Sequence, residues 1–145
     1  MQMDRRTFLA RTALTPLVVS FGAQGAVRGP DDEDEGICRR KFELAVSLSL
    51  QRRPIGDVVV EIGKSFLGTD YLAHALEAEG EEKLVVNMRG LDCVSFYENA
   101  LVLARCIKKN ALTFEDYKAE LQFIRYRGGK IDGYPSRLHY TTDYI

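Results

Sequence analysis

From Asp92 to Lys109 the chain carries its strongest periodic signal. Val94, Tyr97, Leu101, Ala104 and Ile107 recur at three- and four-residue spacing, which lines up one face of an α-helix. Asp92 supplies an N-cap oxygen for the first free amides. Lys108 and Lys109 fall at the end where the helix dipole favours cations. A helix from Cys93 to about Lys109 is therefore predicted. Its apolar stripe has to be covered by other elements, so the chain must build a packed domain around it.

The flanking segments can supply that cover. Phe42, Ala45 and Val46 suit a short helix over about Cys38–Gln51, ended by Arg52-Arg53-Pro54, because proline lacks an amide donor and restricts the residue before it. Val58, Val59, Ile62 and Phe66 predict a second helix over Asp57–Phe66, with Gly68 as its C-terminal cap. Lys83–Met88 reads as a short strand bounded by Arg89-Gly90. Thr113, with Asp116 three residues on, opens a further helix that buries Phe114, Tyr117, Leu121 and Ile124 and ends near Gly128-Gly129. The rest, from Lys130 to Tyr140, is rich in turn residues.

The N-terminus reads as a separate segment. Arg5-Arg6 precedes Phe8-Leu9, an apolar run spans Ala13–Phe21, and small residues follow to Ala26. Charged, apolar and small stretches in that order make a signal peptide, and the arginine pair gives it a twin-arginine character. Residues 1–26 are expected to be removed on export, with the Tat export machinery as a partner and a periplasmic destination. The remaining chain holds seventeen basic against twenty acidic residues, a net charge of −3. That balance gives no electrostatic footprint for nucleic acid. No uncharged apolar run reaches the roughly 18 residues of a membrane span. Residues 27–36 contain Gly29-Pro30 and five consecutive acids, Asp31–Glu35. They are expected to form a solvated, flexible linker, since like charges repel and resist burial.

The chemistry-bearing residues are few. A thiol attacks as its thiolate, and a helix N-terminus offers that anion a positive dipole end and free amides. Cys93 is placed at such an end. Cys106 lies 13 residues further along the same helix, roughly 220° around its axis, and Cys38 borders the acidic run. Both read as buried small hydrophobes or as a bridge with one another. A nucleophilic cysteine also needs a base. The candidates are the chain's two histidines, His74 and His139; His74 reads as structural. No CxxC or HxxxH spacing supports a zinc site, and neither metal nor cofactor is expected. Arg89 and Arg137 are candidate contacts for a substrate carboxylate, or simply solvated surface.

Three ordered blocks, Phe66–Leu72, Leu84–Leu101 and Ile124–Tyr140, resemble the DUF1460 family, an N-acetylmuramoyl-L-alanine amidase-like branch of the NlpC/P60 superfamily. The resemblance covers about residues 40–145. It implies an α+β, papain-like fold, with the nucleophile helix packed on an antiparallel sheet. It also implies Cys93 as nucleophile and His139 as catalytic base, in Leu91-Asp92-Cys93 and Ser136-Arg137-Leu138-His139. Tyr71 matches an aromatic position that orients the site; with Asp92 and Arg137 it makes up the candidate substrate-binding residues. The implied reaction is metal-free hydrolysis of the lactyl–L-alanine amide in peptidoglycan fragments. Alternatives are a γ-D-glutamyl endopeptidase of NlpC/P60 type and an inactive remnant that only binds wall fragments. The sequence departs from the family pattern at Asp70 and His74, which implies altered specificity. It also stops at Ile145, six residues after His139, where the family continues into further strands. A C-terminally truncated chain lacking most of the sheet is the expectation.

Overall fold

The computed structural model describes residues 29–77 and 79–144. The expected signal peptide lies outside them. Among the described residues there are four α-helices: α1 (Pro30–Ser47), α2 (Ile55–Lys64), α3 (Cys93–Lys109) and α4 (Phe114–Arg125). One two-stranded parallel sheet pairs β1 (Asp70–Tyr71) with β2 (Gly90–Leu91), in the register Asp70 to Gly90 and Tyr71 to Leu91. The architecture is mixed helix and strand, as an α+β class requires. The antiparallel sheet implied by the resemblance is represented among these residues only by a single bridge between Tyr126 and Arg137.

Helix α3 sits at the centre, packed by α1, α2 and α4. That position explains why the predicted single stripe understates its burial. Val102, Leu103 and Ala104 are all inaccessible, and so is Glu98 in the N-terminal half, with Ser95 and Asn99 nearly so. A central helix is covered on most sides, so its polar residues must find partners inside. Asn99 donates to Asn87 O and Ser95 O and accepts from the Tyr117 hydroxyl at 2.5 Å. Glu98 pairs with Arg125 at 2.8 Å. At the far end, Lys108 Nζ donates to Gln51 O and Arg53 O, both at 2.8 Å. This ties α3 to the turn that follows α1.

Two expectations need correction. The acidic run is not a flexible linker, because α1 begins at Pro30 and includes all five acids. Proline is suited to the first helical position, and Asp31, Asp32 and Glu33 occupy the first turn, where the dipole favours negative charge. Asp32 also accepts from the Gly29 amide at 3.2 Å. Asp34 is 1% exposed and accepts from Met88 N at 2.9 Å and Arg89 Nε at 3.2 Å. Repulsion within the run is thus offset by a helix end and by an arginine.

The second correction concerns Lys83–Met88, which forms no strand. Its backbone is satisfied by side chains instead. Tyr126 Oη donates to Lys83 O, Arg125 to Val85 O, Asn99 to Asn87 O, and Asp34 accepts from Met88 N. A short apolar run such as Leu84-Val85-Val86 suits a strand, but here side chains from α1, α3 and the end of α4 take up its backbone groups.

Candidate active site at the head of helix α3

Cys93 is the first residue of α3 and is exposed, whereas Cys38 and Cys106 are buried. Its position is set from both sides. Ahead of it, β2 runs beside β1, and Leu72 N donates to Leu91 O at 3.1 Å. Gly90 is required there: a Cβ at that position would lie 2.9 Å from Leu72 Cβ. Behind it, Asp92 caps the helix. Its Oδ1 accepts from Ser95 N at 2.8 Å and Ser95 Oγ at 2.7 Å, while Asp92 N donates to Ser95 Oγ at 2.9 Å. Burial alone would raise the Asp92 pKa. The bonds from Ser95, Ala75 N and Val94 N outweigh it and hold the carboxyl below its ordinary value.

His139 arrives from the other direction. After α4, Tyr126 bridges to Arg137 and Leu138 N donates to Arg125 O at 2.8 Å. The His139 ring is exposed and packs on Tyr134, with centroids 4.8 Å apart and planes tilted by 42°. His139 lines a cavity of about 150 Å³ together with His74, Glu77, Tyr134 and Arg137, and with Asp92 and Val94, the two neighbours of Cys93 in the chain. The base candidate and the head of α3 therefore share one cleft. The Cys93 side chain is not among its walls, and neither is Tyr71, which is 76% exposed on β1.

Arg137 is nearly buried. Its Nη2 lies 2.8 Å from Glu82, its Nη1 lies 3.4 Å from Glu77, and its guanidinium rests 5.2 Å from the Tyr134 ring centre. Burial would lower its pKa, but the Glu82 carboxylate raises it overall. Glu82 in turn would be raised by burial, yet bonds from Tyr126 and Arg137 pull it below its ordinary value. Arg89 is likewise engaged, with Asp34 at 3.2 Å and Glu33 at 3.6 Å. Both arginines considered as carboxylate contacts are already paired.

His74, read from the sequence as structural, is one of the residues that line the cleft. It is exposed, adopts a left-handed backbone at φ 59°, and faces the same cleft as His139. A non-glycine residue in that region is uncommon, though histidine is among those that adopt it, as Ser49 and Asn110 do at helix ends here. The departure of His74 from the resembled family pattern was the signal the sequence offered. Among the described residues no three of His, Cys, Asp or Glu converge to hold a metal ion.

Comparison with known proteins now decides the family. A family model described as N-acetylmuramoyl-L-alanine amidase-like (AmiA-like) matches residues 61–145, more than half of the chain. The chain belongs to that family. Two solved structures of an N-acetylmuramoyl-L-alanine amidase from Bacteroides uniformis are similar to it. One is 42% identical with a TM-score of 0.58, covering 63% of this chain and 38% of that one; the other is 43% identical with a TM-score of 0.57, covering 63% and 37%. A Bacteroides fragilis protein provisionally assigned as a xylanase is 45% identical with a TM-score of 0.52, covering 57% of this chain and 35% of its own. The chain thus spans under two-fifths of the length of these solved relatives. No curated protein matches it.

Proposed function

We propose that the protein is an exported, cysteine-dependent N-acetylmuramoyl-L-alanine amidase that cleaves the lactyl–L-alanine amide of peptidoglycan fragments. On this reading it belongs to the papain-like NlpC/P60 hydrolases, DUF1460 branch. The observation that carries the proposal is an exposed cysteine at a capped helix head whose two chain neighbours line a cleft with His139.

In this mechanism the Cys93 thiolate attacks the lactyl carbonyl. The resulting oxyanion is held by the Cys93 amide, one of the helix-end donors that lack an intrahelical acceptor. The C–N bond breaks as His139 delivers a proton to the departing amine of L-alanine, leaving a thioester. Water then attacks that thioester, gives a proton to His139, and releases the lactyl acid and the thiolate. Asp92 fixes the helix head. Arg137, held by Glu82, places the strand-like segment that presents His139. Tyr71, exposed on the strand paired with β2 and outside the walls of that cleft, orients the site as the family resemblance implies. The Arg5-Arg6 leader supports export to the periplasm.

A xylanase reading would need two carboxyls flanking a glycosidic bond. The acids on this cleft are Asp92, consumed in capping, and Glu77, paired with Arg137. Incubation of the full chain with N-acetylmuramoyl-peptides, followed by mass analysis, tests the proposal. Free peptide beginning with L-alanine is expected, and Cys93→Ala should abolish it. Cleavage after γ-D-glutamate would make it an endopeptidase, and no cleavage at all would leave a wall-fragment binder.

A further inference from the structure

Helix α1 lies wholly ahead of residues 61–145, the stretch that the family model matches. It joins the core through Cys38, Phe42 and Ala45. Among its described residues Asp34 is the one buried charged side chain, 1% exposed. One oxygen, Oδ1, accepts from Met88 N at 2.9 Å and from Arg89 Nε at 3.2 Å. The other, Oδ2, is buried with no hydrogen-bond partner among the described residues. A carboxylate half-satisfied in the interior is costly, and packing alone is better served there by an apolar side chain. Arg89 does not need it either, since its side chain is 39% exposed and has solvent available.

What Asp34 holds is the turn that begins the approach to Cys93. Asn87 Oδ1 accepts from Arg89 N and Gly90 N, both at 3.1 Å, and Asn99 of α3 donates to Asn87 O at 3.1 Å. Gly90 and Leu91 then form β2, and Cys93 opens α3 two residues later. The turn is therefore tied to itself, to α3 and, at Met88 N, to α1. Without Asp34 the buried Met88 amide loses its acceptor, and the turn has to shift to find another. We propose that Asp34 is a positioning residue for the reaction at Cys93. Through the Met88 amide it sets the register of residues 87–92, and so the place of the thiol at the helix head. Helix α1 is on this view part of the machinery, although it lies outside the family-matched stretch. The inference rests on the amidase reading above for its substrate.

The test uses the full chain, with an N-acetylmuramoyl-peptide as substrate. Asp34→Ala should lower kcat about tenfold and leave KM within about twofold, because a displaced nucleophile costs rate rather than binding. Asp34→Asn keeps an acceptor for Met88 N and should restore most of the loss. Lys108→Met cuts the ties to Gln51 O and Arg53 O at the far end of α3. It should lower the unfolding midpoint with kcat unchanged. A native kcat in Asp34→Ala overturns the inference. So does an equal loss in Lys108→Met, or a loss that Asp34→Asn does not relieve. If Asp34→Ala fails to fold, Asp34→Glu keeps the charge but moves the carboxylate by one methylene; it should show the kcat loss, and a native kcat there is equally fatal. Labelling by iodoacetamide at pH 8 reads the thiol without substrate, and at Cys93 it should slow about threefold in Asp34→Ala as the thiol leaves the helix-end amides. If the native chain hydrolyses nothing while that slowing is seen, the amidase reading fails and the positioning role stands. Hydrolysis with kcat and labelling both unchanged in Asp34→Ala would do the reverse.

Discussion

The two arms that carry Cys93 and His139 are held in contrasting ways. The arm before Cys93, residues 82–92, is threaded between helices and has its backbone bonded by Asp34, Asn99, Arg125 and Tyr126. The arm before His139, residues 130–138, lies largely on the surface and is fastened at its end, through the Tyr126–Arg137 bridge, the Leu138-to-Arg125 bond and the Arg137–Glu82 pair. Cys93 is thus fixed by many bonds along its approach, His139 by a few bonds next to it. Both sets converge on Arg125, Tyr126 and Glu82. Cys93 therefore sits on the more firmly bonded arm, while the His139 imidazole rests on Tyr134 at the end of the more exposed one.

The shared anchor gives the largest expected effect. Arg125 and Glu98 are 3% and 0% exposed at their side chains, and Arg125 also donates to Val85 O. Arg125→Met leaves a buried carboxylate without its guanidinium, which costs about 3–5 kcal/mol. Urea unfolding should show that loss. Adding Glu98→Leu should recover part of it, since replacing both partners of a buried pair is milder than removing one. If Arg125→Met is neutral, the two arms do not depend on a common anchor.

Next comes the contrast between the two ends of α3. Cys93 is exposed at the head, while Cys106 is buried near the tail, and burial pushes its thiol up to about 12. Burial also raises Cys38 well above the ordinary thiol value, with Cys106 and Glu35 adding to the shift. Labelling of a buried thiol requires local opening, so Cys93 should modify about a hundredfold faster than either at pH 8. Time-resolved intact mass with peptide mapping checks this. Equal rates would mean the helix head offers no special access.

How far this arrangement was legible in the sequence follows from which forces act locally. The α3 helix, its Asp92 cap and the Thr113–Asp116 start of α4 are visible because capping and periodicity are properties of neighbouring residues. Cys93 at a helix head follows from the same signals. What stayed hidden depends on long-range partners. Asp34 reads as one acid in a repelling run until Met88 and Arg89, more than fifty positions away, arrive to meet it. Lys83–Met88 reads as a strand because nothing local says that side chains will bond its backbone. His74 and His139 share a cleft only through the folding-back of two loops, and the pairing of Arg137 with Glu82 spans 55 positions.

A smaller effect should separate the arms themselves. The side chains of Arg137 and Glu82 are 9% and 7% exposed. Arg137→Met removes two charge-assisted bonds to Glu82 and a longer one to the exposed Glu77, and should cost roughly 2 kcal/mol. Because Arg137 fastens the end of the second arm and meets the first only at its opening residue, Glu82, amide exchange should accelerate over residues 130–140 while residues 84–91 keep their protection. Uniform acceleration across both segments would show that the arms open as one unit, and the contrast drawn above would fail.

The smallest effect tests the cap that sets the thiol's position. Asp92→Ala removes the oxygen that Ser95 N and Oγ bond, at a cost of about 1 kcal/mol, whereas Asp92→Asn keeps a capping oxygen and loses only the charge. The folded protein holds the Asp92 carboxyl below its ordinary value of 3.8. The unfolded chain therefore takes up the proton first as pH falls, so the charge contributes stability that is complete above that value and disappears as pH drops through the folded one. The stability gap between the native protein and Asp92→Asn should accordingly be constant from pH 7 to about 5 and close below pH 4. Glu82 and Glu120 are also held below their ordinary values and lose stability in the same acid range, but they do so in both proteins and cancel in the difference. A gap that persists unchanged to pH 2 would mean that the Asp92 charge adds nothing to the cap, and that its shape alone holds Cys93 at the head of the helix.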